Sequence, residues 1–365
     1  MTAVIRADQV GSLLRPAGLL RARQEHAEGR ITADELRERE DAAILEALAR
    51  QRDVGIGVLT DGEFRRGSWI TDMAEAVEGF VPQSRVMEWR GPGGGREAST
   101  SQVAGARLRQ HRRLAGSEAA FLAAHARGRY KVTLPAPSNF FVVSWRAGVS
   151  DRAYGSRTEM LDDAVRIVRG EVEALIAEGV PYIQLDAPFY GSFLDDRERE
   201  RLRSEDLDLD LALDQVVAAD AACVEGLARY GLTLGLHICR GNSRSRWATE
   251  GPYDRIAEPL LTRMPVDAFL LEFDSPRAGS FEPLRYLPDG RTAVLGLVTT
   301  KQPALESRDD LLRRIEEAAR HVPVERLALS PQCGFASVAA GNLLSEDDQW
   351  RKLELVVDTA AAVWP

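Results

Sequence analysis

The chain is 365 residues long, 44% hydrophobic and 28% charged, with a formal net charge of −9 and a pI near 5.3. That balance allows a large buried core, and it argues against nucleic acid as the main partner, since a phosphate-binding face needs clustered positive charge. No apolar run nears the ~18 residues of a membrane span, and "MTAVIRADQV" lacks a leader's apolar centre, so with three cysteines the expected location is the cytoplasm.

Short apolar runs that end in polar or turn residues recur along the chain, and each reads as a strand. They span residues 4–12, 54–63, 130–138, 181–189, 232–239, 268–275, 292–300 and 326–333. Helical patterns lie between most of them, at 33–55, 161–179, 213–231 and 307–322. Eight strands alternating with helices predict an α/β fold, a (β/α)8 TIM barrel formed by a single domain over 1–365. A doubly wound sheet would want a glycine-rich phosphate loop after an early strand, and the sequence has none. The second connection carries a long insertion at about 64–129, with "GPGGGREAST" (91–100) as its expected mobile tip. The basic piece "GARLRQHRRLAG" (105–116) reads as a solvated face.

In such a barrel, chemistry collects where the strands end. Those ends carry Asp61 and Glu63, Asp186, His237 and Cys239, Glu272 and Asp274, Lys301 and Cys333. Cys223 lies among Ala and Val in a helical run and reads as packing; His26, His111, His125 and His321 fall on charged segments and read as surface. His237 and Cys239 are two apart on one strand, so both point to one face. With Glu272 and Cys333 they make a nitrogen, sulfur, oxygen and sulfur set suited to tetrahedral zinc. Two thiolates and a carboxylate blunt the ion as a water activator. The same set suits a substrate thiol, which zinc ionises at neutral pH although a free thiol has a pKa of about 8.5.

At these residues the sequence resembles the catalytic barrel of the cobalamin-independent methionine synthase family. The H-x-C of "LHICRGN", the glutamate of "LLEFDSP" and the cysteine of "LSPQCGF" match its zinc ligands in order, and the likeness runs from "RADQVGSLLRP" to "SPQCGFAS". It is closest to the stand-alone, single-barrel members. The resemblance implies Zn2+ on His237, Cys239, Glu272 and Cys333, homocysteine as the thiol, and methionine as the product. It implies a Val10, Gly11 and Ser12 turn for the substrate carboxylate, and Glu63 and Asp186 for its ammonium. Glu272 is expected to loosen as the sulfur binds. Where the family stacks a tryptophan on folate, this chain has Pro137; where it places a proton-donating histidine, this chain has Val298, with Lys301 three residues on. Gln9 stands where many stand-alone relatives have histidine. The methyl donor is thereby open between methyltetrahydrofolate and methylcobalamin.

Three alternatives stand beside this reading. Alkyl transfer to or from another thiol, as in epoxyalkane–coenzyme M transferases, keeps the zinc and changes the substrates. A metal-free lyase would use Lys301 as a Schiff-base amine. A binding protein stapled by zinc is a third.

Overall fold

The computed structural model describes residues 4–365; the reading of the first three residues as part of no leader falls outside them. The insertion forms an antiparallel hairpin, β1 (Val77–Trp89) and β2 (Gly95–Gln110), between the helices Thr71–Ala76 and Gly116–His125. Six parallel strands follow, each hydrogen-bonded to the next in chain order: β3 (Val132–Pro135), β4 (Tyr182–Asp186), β5 (Thr233–Ile238), β6 (Ala268–Glu272), β7 (Thr292–Val298) and β8 (Leu327–Pro331). Almost every residue in them is buried, as expected for a parallel sheet covered by helices on its outer face.

The remaining two expected strands are present as short bridges. Asp8 N–H donates to Leu329 O (2.9 Å) and Leu329 N–H to Arg6 O (2.9 Å); Gly57 N–H donates to Ala7 O (3.0 Å). Leu59 N–H donates to Arg129 O and Lys131 N–H to Leu59 O, both at 2.9 Å. Hydrogen bonds therefore run from β8 through residues 6–8 and 57–59 to the start of β3. The expected strands at 4–12 and 54–63 shrink to these contacts because each runs into a turn. Gly11 has φ 150°, and Gly62 and Glu63 have φ 69° and 57°.

The helix Ala33–Val54 begins at a Thr32–Glu35 capping box and stops at Gly55 in the left-handed region. The helix expected at 213–231 instead spans Leu209–Ala222, started by the Asp208 side chain. Cys223, fully buried, is its last cap residue, and the four histidines outside the strands are exposed. Inside the ring of strands, Val10, Ala268, Leu270, Val294 and Ala328 form a small apolar layer. Beside it Lys131 Nζ donates to Asp8 Oδ1 (2.7 Å), Gln9 O (2.6 Å) and Gln184 Oε1 (2.8 Å), and the Tyr182 hydroxyl donates to Asp8 Oδ2 (3.1 Å). This buried ion pair is fully hydrogen-bonded, the condition under which buried charge is tolerated.

Residues 91–100 are no free tip. Residues 90–94 turn the hairpin and 95–100 belong to β2, paired along β1 from Trp89–Gly95 to Ser84–Thr100. The tip docks on the loop after β5. Arg90 and Trp247 exchange backbone hydrogen bonds (2.8 and 3.2 Å), and Arg246 holds Glu97 through both guanidinium nitrogens (2.7 and 2.9 Å). The basic piece 105–116 lies on the surface as expected, its arginines paired with Glu78, Glu159, Glu171 and Glu178.

Candidate metal centre and cavity

His237 is next to last in β5, Cys239 directly follows that strand, and Cys333 is two residues past β8. Their ligand atoms all lie within 4.8 Å of one another, and all three residues are buried. The Cys333 and Cys239 sulfurs are 3.7 Å apart, and all three cysteines of the chain are free thiols. His237 Nδ1 sits 3.3 Å from the Leu270 carbonyl, which fixes a proton on that nitrogen and leaves Nε2 with its lone pair free. Nε2 is buried without an oxygen or nitrogen partner, and its neighbour is the Cys333 sulfur. An orphaned imidazole nitrogen facing two thiols is the donor set a soft-to-borderline divalent ion takes, so these residues fit zinc.

Electrostatics agree with that donor set. The hydrogen bond between the two sulfurs, with His237 nearby, pulls the Cys333 thiol well below its usual range despite burial. Cys239, hydrogen-bonded to Cys333 and buried, is pushed well up. Burial works against a charged His237, but the neighbouring Cys333 sulfur and the charges of Asp186 and Glu272 raise its pKa on balance.

Glu272 ends β6 and is fully buried. It stands beside the three-residue cluster rather than within it. One oxygen accepts from Arg277 Nε (2.8 Å) and the other from the backbone N–H of Arg240 (2.9 Å), the residue after Cys239. A carboxylate has about four lone-pair sites, so these bonds orient it with acceptor capacity to spare. Asp274 is tied to the same Arg277 at 2.6 and 2.9 Å.

The cluster opens into a cavity of about 1100 Å³ whose walls include Val10, Ser12, Glu63, Asp186, His237, Cys239 and Cys333. Glu63 and Asp186 are both enclosed. Burial, with Asp186 and Asp61 against the pull of Arg66, lifts Glu63 to about 7. Burial likewise lifts Asp186 to about 6, against His237 and a 2.7 Å hydrogen bond from Gln184 Nε2. Glu63 Oε1 accepts from the Thr133 hydroxyl (3.1 Å), while Oε2 is buried without a hydrogen-bond partner. Arg15 clamps the loop that carries Glu63, donating to the carbonyls of Glu63 and Arg66 at 2.8 Å each. Gly11 and Gly334 are required by close approach. A methyl on Gly334 would stand 1.9 Å from Ser12 Oγ, and one on Gly11 3.0 Å from Thr133.

Other sequence candidates sit elsewhere. Lys301 is outside the cavity wall; its ammonium donates to Gly241 O and Asn242 Oδ1, both at 3.0 Å, and so braces the loop after β5. Gln9 turns outward to Gln51 and Val58 O, each at 2.8 Å. Pro137 precedes the helix Ser138–Val143 and Val298 is buried at the end of β7, and neither lines the cavity. Sequence reasoning passed over Arg277, whose only signal was an arginine five residues after Glu272. It also passed over Gln184 and the Leu270 carbonyl, which no residue pattern marks.

Comparisons with known proteins give a consistent picture. The family model described as the catalytic domain of cobalamin-independent synthase matches residues 6–361. The chain is 37% identical to the uncharacterised protein YxjH of Bacillus subtilis (strain 168), over 99% of this chain and 95% of that protein. It is 23% identical to a methionine synthase of Pyrococcus abyssi, over 91% and 86% respectively. Among solved structures, a candidate vitamin-B12-independent methionine synthase from Listeria monocytogenes superposes with a TM-score of 0.76 at 26% identity, covering 100% of this chain and 99% of that one.

Proposed function

The chain belongs to the cobalamin-independent methionine synthase family through its catalytic domain, and from that premise we propose a zinc-dependent methyltransferase that converts homocysteine to methionine. The observation that carries the reading is the meeting of His237, Cys239 and Cys333 donor atoms within 4.8 Å, in a cavity that Glu63 and Asp186 also line. His237, Cys239 and Cys333 would hold the ion, with Glu272 as the fourth candidate ligand. Zinc bound there supplies the Lewis acidity that ionises a thiol at neutral pH.

The chain's own groups do the rest. The Leu270 carbonyl keeps His237 in the tautomer that presents Nε2. Arg277 and the Arg240 N–H keep Glu272 aimed. Glu63 and Asp186, both costly to ionise when alone and buried, gain from an incoming ammonium that replaces their protons. This favours an amino-bearing thiol over a sulfonate. The Val10–Ser12 turn stands beside them to receive the amino acid's carboxylate, and residues of the docked hairpin wall part of the same cavity.

A second reading, alkyl transfer involving another thiol or electrophile, has one observation in its favour. Neither Pro137 nor Val298, the positions where the family carries its folate-stacking and proton-donating groups, reaches the cavity. The Schiff-base reading has none, since the Lys301 amine is bound by three acceptors behind the wall.

The test is methionine formation by zinc-loaded protein given homocysteine with methyltetrahydrofolate or methylcobalamin, in separate assays. Turnover with either donor, lost in Cys333→Ser, supports the proposal. No turnover with either, despite stoichiometric zinc, overturns it in favour of another thiol or electrophile.

A further inference from the structure

Glu63 and Asp186, the two cavity carboxylates, are held in the same manner. Neither is hydrogen-bonded to a cationic side chain among the described residues; each instead meets a neutral residue that a buried cation holds in place. Asp186 Oδ1 accepts from Gln184 Nε2 (2.7 Å), and Gln184 Oε1 accepts from Lys131 Nζ (2.8 Å). An ammonium only donates, so Lys131 fixes which way the Gln184 amide faces: oxygen to the lysine, nitrogen to Asp186 and to Val10 O (2.8 Å). Glu63 Oε1 accepts from the Thr133 hydroxyl (3.1 Å), whose oxygen accepts from Arg66 Nη1 (2.8 Å). A hydroxyl carries one hydrogen, and with the guanidinium donating to its oxygen that hydrogen is directed at Glu63. Arg66 Nη1 itself stands 3.9 Å from Glu63 Oε1, beyond hydrogen-bond reach.

The two relays sit side by side. Thr133 and Gln184 are register partners on β3 and β4, on the strand face that also carries Lys131 and Asp186 at a spacing of two. Each cation has its own buried counter-ion behind it: Lys131 Nζ is 2.7 Å from Asp8 Oδ1, and Arg66 Nε is 3.9 Å from Glu118 Oε1. A cation paired directly with Glu63 or Asp186 would satisfy the negative charge that a ligand ammonium needs. A neutral donor in between passes on orientation and leaves that charge for the ligand. Glu63 Oε2, buried without a hydrogen-bond partner, is the oxygen so left over.

Building on the ammonium-binding role given to Glu63 and Asp186 above, we propose that Thr133 and Gln184 are the positioning residues that set this site's preference for a ligand with an α-amino group. Gln184 has a second duty, since its bond to Val10 O ties Asp186 to the turn that meets the amino acid's carboxylate. Both residues act through the carboxylates they aim and touch no reacting atom.

Calorimetric titration with L-methionine and with 4-(methylthio)butanoate, which lacks only the amino group, tests this. Neither ligand carries a thiol, so a wrong assignment of the thiol chemistry leaves the readout untouched. The unmodified protein should bind methionine about tenfold or more tightly than the amine-free acid, the scale of a hydrogen bond between charged groups. Thr133→Val and Gln184→Met should each reduce that ratio by about tenfold, and Thr133→Ser, which restores the hydroxyl, should keep it. If Gln184→Met misfolds, NMR of the unmodified protein serves instead: the Gln184 side-chain amide resonances should shift with methionine and stay in place with the amine-free acid. Equal affinity for the two ligands, or no binding of either at millimolar concentration, in the unmodified protein would overturn the ammonium reading and this proposal with it. A preference in the unmodified protein that survives Thr133→Val and Gln184→Met, or variants that weaken both ligands equally, would overturn the positioning role alone. So would Gln184 resonances that respond to both ligands alike.

Discussion

The sulfur of Cys333 lies 3.7 Å from that of Cys239 although 94 residues separate them in sequence. β5 and β8 are not neighbours in the sheet, so the contact forms across the mouth of the barrel, where chain segments after separate strands converge. One zinc per chain is therefore expected by elemental analysis. Replacing either cysteine by serine should cost more affinity than the roughly 10–100-fold typical of a supporting residue. Undiminished zinc in both variants would remove this cluster as the site.

Arg277 is such a supporting residue, bound to Glu272 and Asp274 and half-covered by Trp247, whose ring its guanidinium faces at 4.9 Å. Arg277→Gln should weaken zinc binding about tenfold against a competing chelator, with an unchanged circular dichroism spectrum. Unaltered zinc affinity would mean that Glu272 takes no part in holding the ion.

Glu63 yields a pH prediction whose sign is fixed by its direction of shift. Its folded value, about 7, lies above the ordinary 4.5. As pH rises between these values the unfolded chain gives up its proton first, so the folded state loses stability across that window. Glu63→Gln should make the metal-free protein more stable than the parent near pH 8, by on the order of 2–3 kcal/mol, with the gap closing toward about pH 4.5. Urea unfolding at both pH values measures it. A gap that does not change with pH would contradict the burial argument.

The contrast between β5 and the hairpin shows what the sequence could and could not carry. "LTLGLHIC" is a short apolar run with two metal-binding side chains at strand spacing, and it folds as read. So do the runs that become β3, β4, β6, β7 and β8, because strands buried on both faces must be apolar throughout. "VEGFVPQSRVMEW" has a mostly exposed or half-exposed surface, a proline and a glycine, and so lacked the pattern of a strand; its partner across the turn supplies the hydrogen bonds that make it one. The glycine-rich turn was read as mobile because composition reports freedom of the backbone and not the Arg246–Glu97 contact that holds it. Lys301 was read as reactive from its place after a strand. Only three-dimensional structure shows its amine turned into the loop at Gly241 and Asn242.

That hairpin contact is itself testable. Glu97 is 48% exposed, so the pair should contribute little to global stability. Glu97→Ala should nonetheless speed hydrogen exchange at the Arg90 and Trp247 amides, which bond the tip to the loop after β5, while zinc content stays at one per chain. Unchanged exchange there would show that the backbone pairing alone holds the hairpin down.

A substrate thiol activated on a metal held by His237, Cys239 and Cys333 becomes one of that metal's ligands. X-ray absorption at the zinc edge, recorded on loaded protein with and without homocysteine, addresses it most directly. Two sulfur neighbours at about 2.3 Å are expected in the resting protein, and a third when homocysteine is added. A sulfur count that homocysteine leaves unchanged would contradict it.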